Sequence, residues 1–289
     1  MSLAAQALLG ALGALAAVYV WRWVAFERRR PHETAPRSRG LLHSLIGFVT
    51  NFFDTLGVGS FAPTTSAFKL LRLVPDERIP GTLNAGHALP CIAQALIFIA
   101  AVSVDPLTLV LMIAAAVLGA WSGSGVVARL PKRAIQIGMG AALLCAAALF
   151  MLGIAEWIPA GGDALRLRGA PLIVAVGCNF LLGALMTLGV GLYAPCLILV
   201  SLLGMNPIAA FPIMMGSCAF LMPVAGLRFI AAQRYDARAA LGLALGGIPG
   251  VLIAAFIVKQ LPLLWLRWLV VIVVLYTAIA MLRAARARS

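Results

Sequence analysis

Two nine-residue segments combine residue types that can hold a small anion without a metal or a fixed positive charge. Thr55-Leu56-Gly57-Val58-Gly59-Ser60-Phe61-Ala62-Pro63 recurs as Thr187-Leu188-Gly189-Val190-Gly191-Leu192-Tyr193-Ala194-Pro195, with exchanges only at Ser60/Leu192 and Phe61/Tyr193. Paired glycines let the backbone turn sharply and let a ligand come close to it. The proline suits the first turn of a helix, where its missing N–H had no partner anyway. A helix that restarts there presents unpaired N–H groups and the positive end of its dipole, an arrangement that attracts anions. The candidate ligand groups are Thr55, Gly57, Gly59, Ser60, Pro63, Thr64 and Thr65 in the first copy. In the second they are Thr187, Gly189, Gly191, Tyr193, Pro195 and Cys196. Asn84 and Ser217, further along each half, are additional donors. The competing explanation is that small residues only let helices pack closely. Duplication of the break, with a proline each time, weighs against it.

Two titratable residues stand beside these segments. Asp54 immediately precedes the first motif, and its counterpart in the second copy is Met186. Ionised, it repels an anion; protonated, it admits one, which makes it a candidate for proton coupling. The alternatives are that it caps the broken helix or pairs with Lys69 or Arg72. His87, in Asn84-Ala85-Gly86-His87, is the second proton-coupling candidate, although a lone histidine in an apolar helix is more often a hydrogen-bonded brace. Asn51 and Asn179 precede the motifs and could brace them. Lys69 could draw anions toward the membrane surface or extend its ammonium to the interface, as expected for Arg72.

Other chemistries lack their residues. The histidines are His32, His43 and His87, none spaced with another for metal ligation. The cysteines, Cys91, Cys145, Cys178, Cys196 and Cys218, form no CxxC pair, and all lie in apolar runs where a thiol behaves as a small hydrophobe. Without a nucleophile–base pair, metal cluster or redox pair, an enzyme is not expected, and neither is a catalytic residue, metal or cofactor.

The elements that must position the candidate groups are membrane helices. The chain has 289 residues, 63% hydrophobic and 11% charged, with a mean hydropathy of +1.04, a composition of polytopic membrane proteins. The formal charge of +13 does not indicate nucleic acid, because basic residues fall between apolar runs rather than on a polar domain. Apolar runs predict helices at about 3–24, 41–73, 80–102, 106–128, 132–155, 170–203, 207–230, 239–258 and 262–282. A straight helix over 41–73 would reach about 50 Å, against roughly 30 Å of hydrocarbon. Both overlong runs contain the glycine–proline break, so each is either one oversized span or a hairpin that returns to its own side. Basic residues separate these options. Hairpins leave only Arg166, Arg168, Lys259 and Arg267 outside, of 22 Lys and Arg, whereas single spans move the groups at 69–78 and 129–133 outside and Arg166 and Arg168 inside, which leaves 8 outside. The positive-inside rule favours hairpins.

With hairpins, each repeat makes three crossings and the second copy is inverted, an arrangement common in secondary transporters. The expected fold is all-α, with two inverted repeats, each a broken-helix hairpin plus three transmembrane helices, and one extra N-terminal helix. The boundaries are 1–26 for that helix, 27–40 for a basic cytoplasmic loop, 41–155 for repeat 1, 156–169 for an extracytoplasmic loop and 170–289 for repeat 2. Arg28-Arg29-Arg30 follows the first apolar run instead of preceding it, the reverse of a secretory signal. This puts the N-terminus outside and the C-terminus in the cytoplasm. Pro75/Pro207, Pro80/Pro212 and Leu70-Leu71/Leu202-Leu203 extend the repeat at one offset, and Leu130-Pro131/Leu261-Pro262 lies one residue from it. The glycine-rich stretches 119–125 and 242–250 need only tight helix packing.

The segments GFVTNFFDTLGVGSFAP…LNAGHALP and LLGALMTLGVGLYAP…MMGSCAFLMP resemble the two signature regions of the TauE/SafE family. Its members are bacterial transporters of sulfite, sulfoacetate and other sulfur-containing anions, mostly regarded as exporters. The resemblance spans roughly residues 41–282, with the N-terminal helix before the usual family core. It implies an inner-membrane secondary transporter that exports sulfite or organosulfonates by alternating access, whose partners are a small anionic substrate, protons where transport is proton-coupled, and membrane lipids. A passive anion channel and an uptake permease for the same anions are the alternatives. Export and import are not distinguished by topology, and the sequence leaves the oligomeric state open.

Overall fold

The computed structural model describes residues 3–28, 38–131, 162–189 and 191–257, with single positions between 133 and 157 and at Leu275 and Ile279. Residues 29–37 of the expected basic loop (27–40), most of the expected helix at 132–155 and the expected helix at 262–282, apart from those two positions, lie outside the described residues; the loop ends earlier than expected, since the next helix starts at Ser38. The described part is all-helical, with a single β-bridge between Ala164 and Met205. Its helices are α1 (Leu3–Glu27), α2 (Ser38–Thr55), α3 (Phe61–Leu70), α4 (Ile79–Gly86), α5 (Ala88–Ala101), α6 (Pro106–Val127), α7 (Ala170–Met186), α8 (Tyr193–Leu202), α9 (Ala210–Ala231) and α10 (Ala237–Ile257). Among the described residues, five stretches are long and apolar enough to cross a membrane: Ala5–Glu27, Asp76–Ala101, Pro106–Val127, Ala210–Ala231 and Ala237–Phe256.

Local chemistry sets the ends of these helices. Asp105 caps α6 by accepting the Thr108 N–H at 3.0 Å, with Pro106 at the first helical position, where a proline forfeits no bond. The bend between α4 and α5 falls at His87, three residues before Pro90. That proline offers no N–H to the Gly86 carbonyl, and its ring crowds the same group.

Both overlong runs are interrupted where the glycines predict it. Helix α2 stops at Thr55 and α3 starts at Phe61; α7 stops at Met186 and α8 starts at Tyr193. Each restart comes two residues before the proline, which falls in the first turn. The His43 and Phe68 rings are 5.9 Å apart, so α3 folds back along α2; one continuous helix would separate them by about 37 Å. In the second copy, Gly162 N–H bonds to the Met205 carbonyl at 3.1 Å and Asn206 N–H to the Ala164 carbonyl at 2.8 Å. The chain therefore leaves the α7–α8 hairpin where it entered.

Loop contacts sort into two groups at opposite ends of α6. At one end, Arg234 donates to the Ala128 and Leu130 carbonyls, Asp236 N–H to Thr82, and Tyr235 to Glu27. At the other, Asp105 N–H bonds the Leu165 carbonyl and Leu167 N–H bonds Thr108. The mouth of the first hairpin, closed by a Lys69–Asp76 ion pair of 2.6 Å, leads directly into the first group. The mouth of the second hairpin belongs to the other.

Helix α2 packs against α10 and α7 against α6, while α5 and α9 meet at the centre. Glycines build the outer pairs: a Cβ at Gly119 would lie 1.9 Å from the Phe180 carbonyl oxygen, and one at Gly250 would lie 2.4 Å from that of Phe48. At Gly246 the Ser44 oxygen would be 1.8 Å away. No side chain fits there, so the tight-packing expectation for these stretches is met. Helix α1 rests on this bundle, with the Tyr19 hydroxyl donating to the Ala85 carbonyl at 2.9 Å and the Trp23 indole N–H to Tyr235 at 3.3 Å.

Candidate functional site: the junction of two hairpin tips

The two breaks share one backbone design. Gly57 N–H bonds to the Asp54 carbonyl at 2.9 Å, as Gly189 N–H does to Met186 at 3.0 Å. Gly57, Gly59 and Gly189 have φ of 89°, 88° and 96°, a region that residues with a Cβ rarely adopt. At the restarts, Thr64 N–H bonds the Ser60 carbonyl and Cys196 N–H bonds that of Leu192, each at 3.0 Å. Neither restart has a side-chain cap: the N-cap residues are Ser60 and Leu192. The hairpin ends match too, since Leu73 N–H bonds to Phe68 and Met205 N–H to Val200, both at 3.0 Å.

Gln94 of α5 joins the two tips. Its Nε2 donates to Asp54 Oδ2 at 2.8 Å and to Thr55 Oγ1 at 3.0 Å, while its Oε1 accepts the Tyr193 hydroxyl at 2.5 Å. Ser60, through its N–H and hydroxyl, and the Tyr193 hydroxyl also act on the Asp54 carboxyl. The Cys91 sulfur lies 4.0 Å from Asp54 Oδ2 and 3.8 Å from the Tyr193 hydroxyl. Asp54, Thr55, Ser60, Gln94, Cys91 and Tyr193 are all buried. The sequence reading omitted Gln94 and the placement of Cys91. The signal for Gln94 was a lone carboxamide in the apolar run Ala88–Ala101, the kind of polar residue that is expensive in a membrane.

The remaining candidates divide. His87 bridges α2 and α3: Nδ1 lies 3.1 Å from Asn51 Oδ1, and Nε2 lies 3.1 Å from Thr64 Oγ1. Asn51 donates its Nδ2 to the Gly47 carbonyl at 2.8 Å, so its oxygen faces the ring. Nδ1 must then carry the proton and Nε2 accepts from Thr64, so both ring nitrogens serve as a brace. Asn179 ties α7 to α6 and α9 by donating to the Met112 carbonyl at 2.7 Å and to Ser217 at 3.1 Å. Asn84 spends its N–H on the Pro80 carbonyl at 2.9 Å, leaving Oδ1 without a partner, so it presents an acceptor where a donor was expected. Thr187 donates to the Ala184 carbonyl at 2.6 Å and finishes its own helix. Thr65 and Ser66 hydroxyls are buried without partners, and Cys196 is buried behind Pro195. Gly191 has open space around it, as does Gly59. The alternative of an Asp54 pair with Lys69 or Arg72 is overturned: Lys69 holds Asp76, Arg72 is exposed, and Asp54 is held by uncharged donors. Asp54, in the last turn of α2, thus directs its carboxyl to Ser60 at the start of α3, where its charge faces the positive end of that helix.

A buried junction where two broken helices converge, lined by hydroxyls and amides, supplies the donors that reversible holding of an anion needs. Comparison with known proteins gives the same class. The family profile described as Sulfite exporter TauE/SafE matches residues 1–150. The chain belongs to the TauE/SafE family. It is therefore a multi-pass membrane transporter of the anion-exporter type rather than an enzyme. The match begins at residue 1, so α1 falls within it instead of preceding the family core, and it includes the whole first hairpin. The second hairpin is tied to the TauE/SafE pattern by its internal likeness to the first. No curated protein and no solved structure matches the chain.

Proposed function

We propose that this TauE/SafE protein is a secondary transporter that exports small sulfur-containing anions, such as sulfite or organosulfonates, across the bacterial inner membrane by alternating access. The observation that carries this reading is the meeting of the Asp54–Ser60 tip and the Tyr193 tip on Gln94. Hairpin mouths at opposite ends of α6 support inverted repeats, because a pair related in that way can open the shared junction to one side or the other. The pairing of α2 with α10 and of α7 with α6 fits the same two-fold relation, since α6 and α10 are equivalent third helices. On the positive-inside rule the face carrying Arg28, Arg78, Arg129 and Arg234 is cytoplasmic. The anion is held by α3 and α8 N–H groups with Ser60, Thr65 and Tyr193, after Asp54 has taken up a proton and withdrawn its charge; the Thr55 and Thr64 hydroxyls are spent on the Asn51 carbonyl and on His87. Asp54 is the coupling residue in this scheme; His87, with both nitrogens engaged, positions the first hairpin.

Purified protein in liposomes tests the reading with sulfite, sulfate, thiosulfate, sulfoacetate and taurine as cargoes. Saturable flux of sulfite or a sulfonate, driven by a pH gradient, is expected. Large single-channel currents would instead identify a passive pore, and flux of none of these anions would remove the substrate class.

A further inference from the structure

We propose that the Gln94 carboxamide is a positioning switch: by rotating, it passes the protonation state of Asp54 in one hairpin to the Tyr193 hydroxyl in the other. The inference rests on proton coupling at Asp54, and it assigns a role to a residue outside both duplicated segments. Gln94 contacts both tips at once, with its amide on Asp54 and Thr55 and its oxygen on Tyr193.

Which atoms can donate ties the two tips together. An ionised carboxylate is only an acceptor, so Gln94 must turn its NH2 group toward Asp54. Its oxygen then faces Tyr193, and the phenol donates its single O–H to that oxygen at 2.5 Å, with the Asp54 carboxylate as the competing acceptor within reach. Protonated Asp54 can donate. Rotating the amide by half a turn lets its oxygen accept the carboxyl proton, while its NH2 points at the phenol oxygen. Tyr193 then accepts, and its O–H is released to a ligand between the tips. The rotation breaks no covalent bond and leaves the proton on Asp54. The same change that removes a negative charge from the junction frees a donor for an anion there. The surroundings leave the exchange to these groups. From α5 the carboxyl faces Cys91 and Gln94; from the break, Ser60; from α8, Tyr193. The Cys196 and Cys218 thiols of α8 and α9 lie in the same electrostatic neighbourhood. The basic residue of α3, Lys69, is held by Asp76, and His87 by Asn51 and Thr64.

Isotope-edited infrared spectra of the purified wild-type protein, recorded across a pH titration without substrate, test the switch directly. A protonated-carboxyl band lost in Asp54→Asn, and a glutamine amide band lost in Gln94→Asn, should appear with one common midpoint. A carboxyl that titrates while the amide stays silent would overturn the proposal. In liposomes, Gln94→Leu should lower sulfite flux at least tenfold and flatten its pH dependence, and Asp54→Asn/Gln94→Leu should be no slower than the slower single variant. Multiplying losses in the double variant, or wild-type pH dependence in Gln94→Leu, would also overturn it. The two readings can fail separately: co-titration without anion flux removes the transport reading and keeps the switch, whereas pH-driven flux with a silent amide does the reverse.

Discussion

At the residue scale, one carboxyl decides, in the proposed transport cycle, whether the junction repels or admits an anion. Asp54 is buried among Gln94, Ser60, Cys91 and Tyr193 with no basic partner in its hydrogen-bond shell. Replacing it by asparagine keeps the shape and removes the proton. Asp54→Asn should therefore give sulfite flux that no longer changes between acid and neutral pH; an unaltered pH dependence in liposomes would exclude Asp54 as the coupling site. Asp54 was legible in the sequence because a carboxylate next to a helix break is conspicuous in an apolar run. Its true partner was not, because Gln94 lies about 40 positions along the chain and only folding sets α5 between the tips. His87 shows the opposite case: its type suggested proton chemistry, but the bonds to Asn51 and from Thr64 give it a bracing part.

At the element scale, the two hairpins are built alike but end differently. The residue after the last turn of α8 and its loop is Gly204, with φ of 81°, and the equivalent place after α3 is taken by Arg72, with φ of 50°. A left-handed conformation costs a residue with a Cβ about 1 kcal/mol. Arg72→Gly should raise the thermal midpoint of the detergent-solubilised protein, because Arg72 is exposed and forfeits no packing. A lower midpoint would mean that the guanidinium contributes more than the backbone strain costs. Helix α6 depends on its cap. The Thr108 N–H, with help from its hydroxyl and from Arg166 and Arg168, holds the Asp105 carboxyl below the ordinary carboxylate range. A group depressed in the folded state contributes above its unfolded value and loses that contribution as pH falls through the folded one. Asp105→Ala should thus lower stability by about 1 kcal/mol at neutral pH, and the gap from wild type should close in acid. Equal gaps at both pH values, measured by thermal melting, would refute the cap argument.

At the scale of the whole molecule, the consequential feature is which loops share a face. Arg234 reaches Ala128 and Leu130, and Asp236 reaches Thr82, whereas Gly162 and Asn206 join the segments around Met205 and Ala164 at the other end of α6. Single cysteines at Arg78, Arg129 and Arg234 should all react with an impermeant thiol reagent from the cytoplasmic side, and one at Arg166 only from the other. The experiment needs a background in which native cysteines are replaced. Labelling of Arg78→Cys from the side that labels Arg166→Cys would break the opposed-hairpin arrangement.

The sequence alone determined the membrane-spanning class, the two breaks and their positions, because apolar length, glycine and proline act locally and need no partner to be read. It also favoured hairpins over long spans, since charge placement between helices follows the same rule along the whole chain. Only the tertiary structure decided that the two tips meet, that Gln94 lies between them, and that glycines 119 and 250 face carbonyls of the opposite half. Those contacts join residues far apart in the chain. Which of many apolar faces pair is settled by shape and by the need to satisfy buried polar groups, a property of the packed molecule rather than of any one segment.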